Sequence, residues 1–396
     1  MISPRFFAGL SLVVALPIAA MAAAPKLAGV GAAMQATVDA HEVAGAVTLV
    51  ATKDKILHLE ATGMADLASK RPMETDAMFW LASSTKPITA TAVLMLVDEG
   101  KLSLSDPVAK FIPAFAELKT PSGKPANLTI QHLLTHTSGL AEIKRGSYAG
   151  KKNLTETIDS YFPAAPMLFE PGERWKYTSF GFDTAGRIVE IVSGKSYDAF
   201  LQERIFDPLG MKDTTFYTSD EQQGRLAVCY ATNNATKELQ PRALQFGRPV
   251  RGQFPPVPGG GLHATASDLA RFGQMLLNRG VVAGKRYLSE ASYQRLTTVC
   301  TGDLSTGYST GQFNQVLGWG AGAFVLRAPH DGVTAMLSPG SFGHPGACGT
   351  ELIVDPVKGR VYVLMIQRAN LPDNFENEPA RALVQSAATA LATAQN

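Results

Sequence analysis

The chain has 396 residues, of which 45% are apolar and 18% charged, so it can form one large domain or two interleaved lobes with a sizeable core. Its 36 basic and 34 acidic residues leave a formal net charge of +2 without a dense basic cluster, which argues against nucleic acid as a partner.

The N-terminus has the pattern of a secretory signal peptide. Arg5 is followed by an apolar run over 6–19 and then by the small-residue site Ala20-Met21-Ala22. The run is short for a membrane span, which needs about 20 residues. We therefore predict a signal peptide over 1–22 and a mature domain over 23–396 that is periplasmic or secreted, with no stable membrane span.

Strand patterns lie at both ends of the chain. A helical pattern over 32–44 precedes two predicted strands within 44–67, which flank a polar turn at 53–55. Near the other end, 318–327 and 349–370 are predicted strands, and the second is split by a turn at 355–359 into a hairpin. A helix is predicted from Pro379 to Gln395.

The middle of the chain is mostly helical. Gly100 and Gly194 follow two of the predicted helices, as C-terminal caps do. The helices are Pro87–Glu99, Thr129–Leu134, Asp183–Val192, Tyr197–Ile205 and Ser267–Asn278. We predict an α/β (α+β) fold in which both chain ends form one antiparallel sheet flanked by terminal helices. The sheet lobe spans about 30–82 and 318–396, and a mostly helical lobe over about 83–317 is inserted, with a cleft between them.

A candidate nucleophile lies in the stretch WLASSTKPIT, residues 80–89. Pro87 is tolerated only in the first turn of a helix, so it places the helix start just before it. Ser83 and Lys86 then share a face. Free N–H groups at a helix start stabilise a developing negative charge, and a neutral lysine can take the serine proton. The pair alone also fits chance and helix capping.

Two further segments supply possible partners. Tyr177-Thr178-Ser179 follows a Pro-Gly turn and precedes an amphipathic helix, where a tyrosine could act as a general base. The same tripeptide recurs at 217–219, but acidic residues follow it, as on a solvated surface. In SFGHPGACGTELIV, residues 341–354, glycines at 343, 346 and 349 allow close backbone approach, and His344 stands at the start of a strand.

Taken together, these segments resemble the serine β-lactamase and penicillin-binding superfamily. They occur along the chain in the order expected of its members. The likeness extends over about 30–395 and is closest to class C β-lactamases, D-alanyl-D-alanine carboxypeptidases and β-lactamase-like carboxylesterases. Four further stretches carry it: LTIQHLLTHTSGL, PGERWKYTS, FDPLGMKDTTF and PGGGLHATASDLARF.

The resemblance implies a role for each candidate residue. Ser83 resembles the nucleophile, Lys86 its activating partner and Tyr177 the second proton carrier. Ser179 stands where many members have asparagine, and would bind the acyl side chain or orient the lysine. His344-Pro345-Gly346 replaces the usual Lys-Thr-Gly. The N–H groups of Ser83 and Ala347 would form the oxyanion hole.

The departures from the family pattern bear on substrate choice. A histidine at 344 is mostly neutral at pH 7, unlike lysine, and Pro345 removes a donor and a hydroxyl. We therefore expect a cofactor-independent carboxylesterase that forms an acyl-enzyme on small esters. The alternatives are a D,D-carboxypeptidase or D-amino-acid amidase acting on a cell-wall peptide, a weak β-lactamase, an acyltransferase, and a penicillin-binding sensor that acylates and stalls.

Three other features could suggest a catalytic, metal or disulfide site. Ser309 in GYSTG fits a nucleophile-elbow pattern, but no apolar strand precedes it and no helix follows. His132 and His136 have a metal-compatible spacing, yet we interpret them as structural histidines that bond to backbone carbonyls. The three cysteines, Cys229, Cys300 and Cys348, allow one disulfide in any of three pairings, although each is favoured as a buried apolar residue.

Overall fold

A computed structural model describes residues 24–142, 148–161, 166–233, 235–306, 316–369, 371 and 378–393 of the protein. The predicted signal peptide, 1–22, and the candidate Ser309 both lie outside these described residues.

The helices agree in position with most of those predicted. They are α1 (Val30–Asp39), α2 (Lys86–Asp98), α3 (Ile130–Leu134), α4 (Leu154–Tyr161), α5 (Phe180–Ser193), α6 (Tyr197–Leu201), α7 (Asp207–Leu209), α8 (Asp220–Arg225), α9 (Ala266–Leu277), α10 (Glu290–Thr297) and α11 (Glu378–Thr393). The segment predicted as one helix over 197–205 differs: α6 ends at Leu201 and Gln202–Phe206 continues as a π-helical turn.

Within the described residues, the strands build one large sheet and three small ones. They are β1 (Gly45–Ala51), β2 (Ile56–Asp66), β3 (Arg71–Pro72), β4 (Phe79–Trp80), β5 (Tyr230–Thr232), β6 (Leu239–Pro241), β7 (His263–Ala264), β8 (Val281–Val282), β9 (Lys285–Arg286), β10 (Leu317–Trp319), β11 (Phe324–Leu326), β12 (Phe342–Pro345), β13 (Glu351–Asp355), β14 (Arg360–Met365) and β15 (Arg368–Ala369). The segment predicted as a strand over 318–327 is a hairpin, because Gly322 adopts φ 88° between β10 and β11.

The large sheet joins the two ends of the chain, as predicted. Its order is β10-β11-β12-β13-β14-β1-β2-β3, and every pairing is antiparallel. β1 lies next to β14, with Val47 opposite Met365, so the N-terminal hairpin adds directly to the C-terminal one. All seven residues of β1 are buried, which is expected of a central strand covered on both faces.

Helices cover both faces of this sheet. The terminal helices α1 and α11 pack against each other. They share one apolar cluster with buried residues of the sheet such as Val50 and Leu364. On the opposite face, α9 packs against β1, β13 and β14. Gly273 of α9 permits this approach, because a Cβ there would lie 2.6 Å from a methyl carbon of Val361.

The helix α2 is the buried element that carries the candidate nucleophile segment. Pro87 stands in its first turn, and a 3₁₀ turn over Ala82–Thr85 leads into it. Every residue from Lys86 to Leu96 is buried, so the helix is covered on all sides, as its apolar sequence predicts. The helix ends before Gly100, which adopts φ 68°. The division into a sheet lobe and a helical lobe stays a prediction.

Candidate active site

The turn before α2 holds Ser83 in a constrained position. Ala82 adopts φ 47°, in the left-handed region that non-glycine residues rarely occupy. Ser83 follows it and is partly exposed, whereas Lys86, one helical turn later, is completely buried. The Lys86 amine donates to the Ser83 hydroxyl at 3.1 Å. The spacing of three residues therefore brings the two side chains into contact, as the sequence predicts.

Two more oxygens fix the Lys86 amine. It donates to the carbonyl oxygen of Gly259 at 2.5 Å and to the hydroxyl of Ser179 at 3.3 Å. The amine also lies 4.7 Å from the ring centroid of Tyr177. A buried amine held by three oxygens and an aromatic face has one orientation, which is directed at the candidate nucleophile.

The segment before α5 supplies Tyr177 and Ser179. Ser179 is the N-cap residue of α5, yet its side chain makes no capping bond to the helix and turns to Lys86 instead. Its backbone N–H donates to a carboxylate oxygen of Glu142 at 2.5 Å. The helix start is thus capped by a distant acidic side chain, and the Ser179 hydroxyl is available for the lysine.

An aromatic cluster supports Tyr177. The ring of His136 lies against it with centroids 4.3 Å apart and a tilt of 31°. Trp175, Trp319 and His344 complete the cluster. These contacts hold the plane of the phenol ring, so they determine where its hydroxyl points.

His136 belongs to the site, and the sequence analysis did not place it there. Its Nδ1 accepts a hydrogen bond from the Thr178 backbone N–H at 3.2 Å, beside Tyr177. The interpretation as a histidine bonded to backbone carbonyls was wrong, because the ring accepts from an N–H. Burial, with the nearby charge of Lys86, holds the pKa of His136 well below its usual range, so the ring is neutral. His136 adopts φ 59°, and nothing in the THTSG stretch of the sequence indicated this backbone conformation.

His132 also differs from the carbonyl-bonded interpretation. Its Nδ1 accepts a hydrogen bond from the Thr129 N–H at 3.2 Å, and the Thr129 hydroxyl caps the same helix, α3. The two histidines therefore accept hydrogen bonds from different backbone N–H groups. Within the described ranges, no group of three His, Cys, Asp or Glu side chains is placed to hold a metal ion.

The strand β12 runs along the other side of the Ser83 turn. The Ser84 hydroxyl donates to the His344 carbonyl at 2.9 Å, and the Thr350 hydroxyl donates to the Leu81 carbonyl at 2.9 Å. Gly346 must be glycine, because a Cβ there would lie 2.4 Å from the Leu81 oxygen. The close approach predicted from the glycines therefore occurs at the nucleophile turn itself.

His344 is completely buried rather than presented at the surface. Its Nδ1 lies 2.7 Å from the Pro345 carbonyl oxygen. Burial, reinforced by the Lys86 charge, lowers the pKa of His344 to about 3. The ring is neutral at physiological pH, so position 344 carries no positive charge toward a ligand.

Ala347 lies just beyond β12 and is exposed. In the part of the chain that the structure describes, no hydrogen bond uses its N–H group. It follows Gly346, which contacts the strand leading into the Ser83 turn. The structure therefore brings Ser83, Lys86, Tyr177, Ser179 and the turn with Ala347 to one place, while their roles stay predictions.

Asp183 forms a second layer behind the lysine. It is completely buried, accepts from the Gly259 N–H at 2.9 Å and from the Tyr148 hydroxyl at 2.6 Å, and thereby positions the residue whose carbonyl holds Lys86. Burial raises the pKa of Asp183 to about 7. Nothing in the spacing of Asp183, a residue inside a predicted helix, indicated this contact.

Tyr217, in the second Tyr-Thr-Ser tripeptide, is not the solvated surface residue that its acidic neighbours suggested. It is partly buried, packs against the core and donates to the Phe254 carbonyl at 3.1 Å. Burial raises its pKa. Asp220 and Glu221 are exposed and lie in α8, the helix that follows Tyr217. The charge of these neighbours in the sequence therefore did not indicate the environment of Tyr217.

Comparison with known proteins gives concordant results. The chain is 33% identical over 398 residues to Protein Rv1367c of Mycobacterium tuberculosis, covering 93% of this chain and 96% of that protein. It is 38% identical over 199 residues to Esterase EstB of Burkholderia gladioli, covering 47% and 50% of the two chains.

The fold comparison agrees. The solved structure of EstCE1, described as a hydrolase with promiscuous acyltransferase activity, superposes with a TM-score of 0.75 at 24% identity, over 90% of this chain and 97% of that one. Further relatives are penicillin-binding proteins and a D-alanyl-D-alanine-carboxypeptidase/endopeptidase of Escherichia coli.

In the described residues, every helix is too short or too polar to traverse a bilayer. The family model named Beta-lactamase matches residues 30–386, nearly the whole of the described chain. With this match, the antiparallel sheet and the relatives above, the chain belongs to the Beta-lactamase family of serine hydrolases, which includes esterases.

Proposed function

We propose that the protein is a carboxylesterase that cleaves small acyl esters through an acyl-enzyme on Ser83. The observation that carries the proposal is the 3.1 Å hydrogen bond between the completely buried Lys86 amine and the partly exposed Ser83 hydroxyl. A nucleophile and a base within hydrogen-bond reach, with the base oriented by further groups, is the arrangement that covalent catalysis requires.

The acylation step follows from this arrangement. The Ser83 oxygen attacks the ester carbonyl carbon while Lys86 and Tyr177 pass its proton on. The resulting tetrahedral oxyanion accepts hydrogen bonds from the N–H groups of Ser83 and Ala347. The carbon–oxygen bond to the alcohol then breaks, and the alkoxide leaves with a proton delivered through Tyr177.

Deacylation reverses the proton path. Water attacks the acyl carbonyl and gives its proton to the phenolate or amine, and the carboxylic acid leaves as the Ser83 oxygen recovers a hydrogen. Ser179 takes part by orienting Lys86, since its hydroxyl accepts from the amine at 3.3 Å. Both steps use side chains, the two backbone N–H groups and water.

The neutral His344 favours an ester over a substrate that carries a carboxylate. A substrate carboxylate gains most from a fixed cation beside it, and a completely buried imidazole whose pKa is about 3 offers none. The similarity to Esterase EstB supports the same choice. A small neutral acyl ester is therefore the proposed substrate class.

A D,D-carboxypeptidase or D-amino-acid amidase acting on a cell-wall peptide is the second candidate. The carboxypeptidase/endopeptidase relative, 29% identical over 77% of this chain, favours it. The penicillin-binding relatives leave two further expectations, weak β-lactamase activity and a sensor that acylates and stalls. The same site chemistry serves all of them, because each begins with the Ser83 acyl-enzyme.

The test is hydrolysis of p-nitrophenyl acetate and butyrate by the purified protein and by Ser83→Ala. We expect multiple turnovers by the wild type and a loss in kcat on the order of 10³-fold or more for the variant. Ser69→Ala, which removes an exposed serine hydroxyl, is the control and should match the wild type. Equal rates for S83A and wild type would end the proposal.

A panel with a D-Ala-D-Ala peptide and a penicillin separates the candidates. Intact-mass measurement shows which acyl group attaches to the protein and how long it stays. Release of product beyond one equivalent separates an enzyme from a stalled sensor, and new esters formed with added alcohols indicate acyl transfer. We also propose export to the periplasm or medium, which N-terminal sequencing of the mature protein from native cells tests.

A further inference from the structure

Two cysteines distant in sequence lie side by side next to Ala347. The sulfur atoms of Cys229 and Cys348 are 3.3 Å apart, although 119 residues separate them along the chain. Both side chains are buried, and both are free thiols. The third cysteine, Cys300, is partly exposed and directs its sulfur to the Arg295 and Thr298 carbonyls.

The backbone fixes this pair. The Cys348 carbonyl accepts from the Arg368 N–H at 2.8 Å, at the start of β15. Tyr230, directly after Cys229, donates its N–H to the Gln367 carbonyl at 2.9 Å, and β5 pairs with β15 in parallel. The backbone at both cysteines is therefore anchored to the segment 367–369, and the fold brings their side chains together.

A small oxidant can reach the thiols. Cys229 and Cys348 line a cavity of about 340 Å³ together with Trp80, Arg242 and Ala347. Ala347 is exposed, as are Ala243 and Gln245 on the same wall, so the cavity opens to solvent. The thiols are thus buried against the protein but accessible from the side on which the candidate oxyanion turn lies.

We propose that Cys229 and Cys348 are an oxidisable pair that a small hydroperoxide converts to a disulfide, and that this modification shifts the turn 346–350 and lowers the activity of the site. The first part concerns the chemistry of the thiols alone. The second part rests on the proposed esterase function.

The reaction balances with one equivalent of hydrogen peroxide. The Cys229 thiolate attacks a peroxide oxygen, a sulfur–oxygen bond forms, the oxygen–oxygen bond breaks and hydroxide leaves as water after gaining a proton. The Cys348 sulfur then attacks the sulfenic sulfur, the disulfide forms and a second water leaves. Two thiols lose two electrons, and the peroxide gains them. The thiol hydrogen bond from Cys348 lowers the pKa of Cys229, which favours Cys229 as the attacking thiolate.

Bond formation draws the two sulfur atoms together, and in this proposal the turn 346–350 takes up part of the movement. A disulfide has a sulfur–sulfur bond of about 2.05 Å, so the pair closes by more than 1 Å from its 3.3 Å separation. Cys348 is the direct neighbour of Ala347, whose N–H is the proposed oxyanion donor. A displacement of about 1 Å at a reacting centre can reduce a rate by up to 10²-fold. We expect oxidation to lower kcat by about tenfold, reversibly.

The first experiment measures the disulfide. Reduced protein is treated with one equivalent of hydrogen peroxide, the remaining thiols are alkylated, and the mass and peptides are analysed. We expect one alkylated cysteine, Cys300, and a peptide pair crosslinked between Cys229 and Cys348. Cys300→Ser should still form the crosslink, whereas Cys229→Ser and Cys348→Ser should not. Three alkylated cysteines, or any crosslink through Cys300, would overturn the proposal.

The second experiment measures ester hydrolysis by the oxidised and reduced forms. We expect the loss in kcat to be restored by dithiothreitol and to be absent in a Cys229→Ser/Cys348→Ser double variant. A crosslinked protein with unchanged kcat would overturn the proposed effect on activity. The proposal that the two cysteines form a disulfide would still stand. Absence of hydrolysis by the reduced wild type would instead count against the proposed function, and the crosslink measurement would still decide the first part.

Discussion

The carbonyl oxygen of Gly259 accepts a 2.5 Å hydrogen bond from the amine of Lys86 across 173 residues of sequence. The absence of a side chain at 259 makes this possible. A Cβ there would lie 2.9 Å from both the Cβ and the carbonyl oxygen of Ser179 and 3.2 Å from a carboxylate oxygen of Asp183. The lysine is thus oriented by backbone that only glycine can bring so close.

Gly259→Ala should therefore impair catalysis by displacing that carbonyl. We expect kcat for p-nitrophenyl butyrate to fall by about 10- to 100-fold, because a shift of about 1 Å misaligns the amine with Ser83. The control is Gly224→Ala in α8, where a Cβ meets nothing within 4 Å. A variant at 259 that folds and retains wild-type kcat would show that the amine does not depend on this bond.

Tyr177→Phe should remove the proposed proton carrier while keeping the ring against His136. We expect kcat to fall by about 10²- to 10⁴-fold, the usual contribution of a positioned general acid or base. Tyr217→Phe changes the tyrosine of the other Tyr-Thr-Ser tripeptide, whose hydroxyl donates to the Phe254 carbonyl, and should retain wild-type kcat. Similar rates for both variants would assign proton transfer to Lys86 alone.

His136→Asn should loosen Tyr177 without removing its hydroxyl. Asparagine tolerates the left-handed backbone at 136 and can accept from the Thr178 N–H, so mainly the ring contact is lost. An aromatic contact contributes about 0.5–1.5 kcal/mol, which corresponds to a fall in kcat of about 2- to 12-fold. His132→Asn, in the same segment but bonded to Thr129, is the matched control.

The pH profile distinguishes positioning from proton transfer at His136. Because the ring is already neutral, H136N should lower the amplitude of the pH–rate curve and leave its inflections in place. A shifted inflection would mean that His136 itself exchanges the proton.

Acid should destabilise the protein through its buried histidines. Burial lowers the pKa of His344 to about 3 and that of His263 to about 4, from an ordinary value of 6.5. Since the folded-state pKa is the lower one, the unfolded chain binds more protons in this window. Stability is then full above about pH 6.5 and falls as the pH drops toward 3, by about 1.4 kcal/mol per pH unit for each such histidine.

Urea unfolding of the wild type and of His344→Gln at pH 8, 6, 5 and 4 tests this prediction. We expect the variant to lose stability with falling pH less steeply, by the contribution of one histidine, whatever its stability at pH 8. The raised pKa of Asp183 acts in the opposite direction between about pH 4 and 7, and it is common to both proteins. Parallel pH dependences would mean that His344 takes up its proton in the folded state.

Much of the local structure could be predicted from the sequence. Pro87 located the start of α2, and the hydrophobic periodicity located α5 and α9 to within a few residues. The two terminal hairpins and their antiparallel union were also predicted correctly, as was the family. The helices and hairpins depend on interactions within a few residues of each other, or on alternation that one strand shows by itself. The union of the hairpins was instead inferred from the strand patterns at both chain ends.

The contacts that orient the site could not be predicted in the same way. Gly259 reaches Lys86, and Asp183 reaches Gly259, only after α2, α5 and the 258–262 segment pack together. His136 reaches Tyr177 only when the segment after α3 packs against the one before α5. His132 and His136 lie four residues apart in one segment. His132 caps the start of α3, whereas His136 bonds to the backbone beside Tyr177.

By itself, then, the sequence determined that Ser83 and Lys86 stand one helical turn apart, because three residues in a helix always bring side chains to one face. Only the tertiary structure decided that a glycine carbonyl holds the lysine, that His344 is buried and neutral, and that Cys229 adjoins Cys348. The lysine and cysteine contacts join residues 173 and 119 positions apart. Their geometry follows from how sheet and helices pack, which no local pattern encodes.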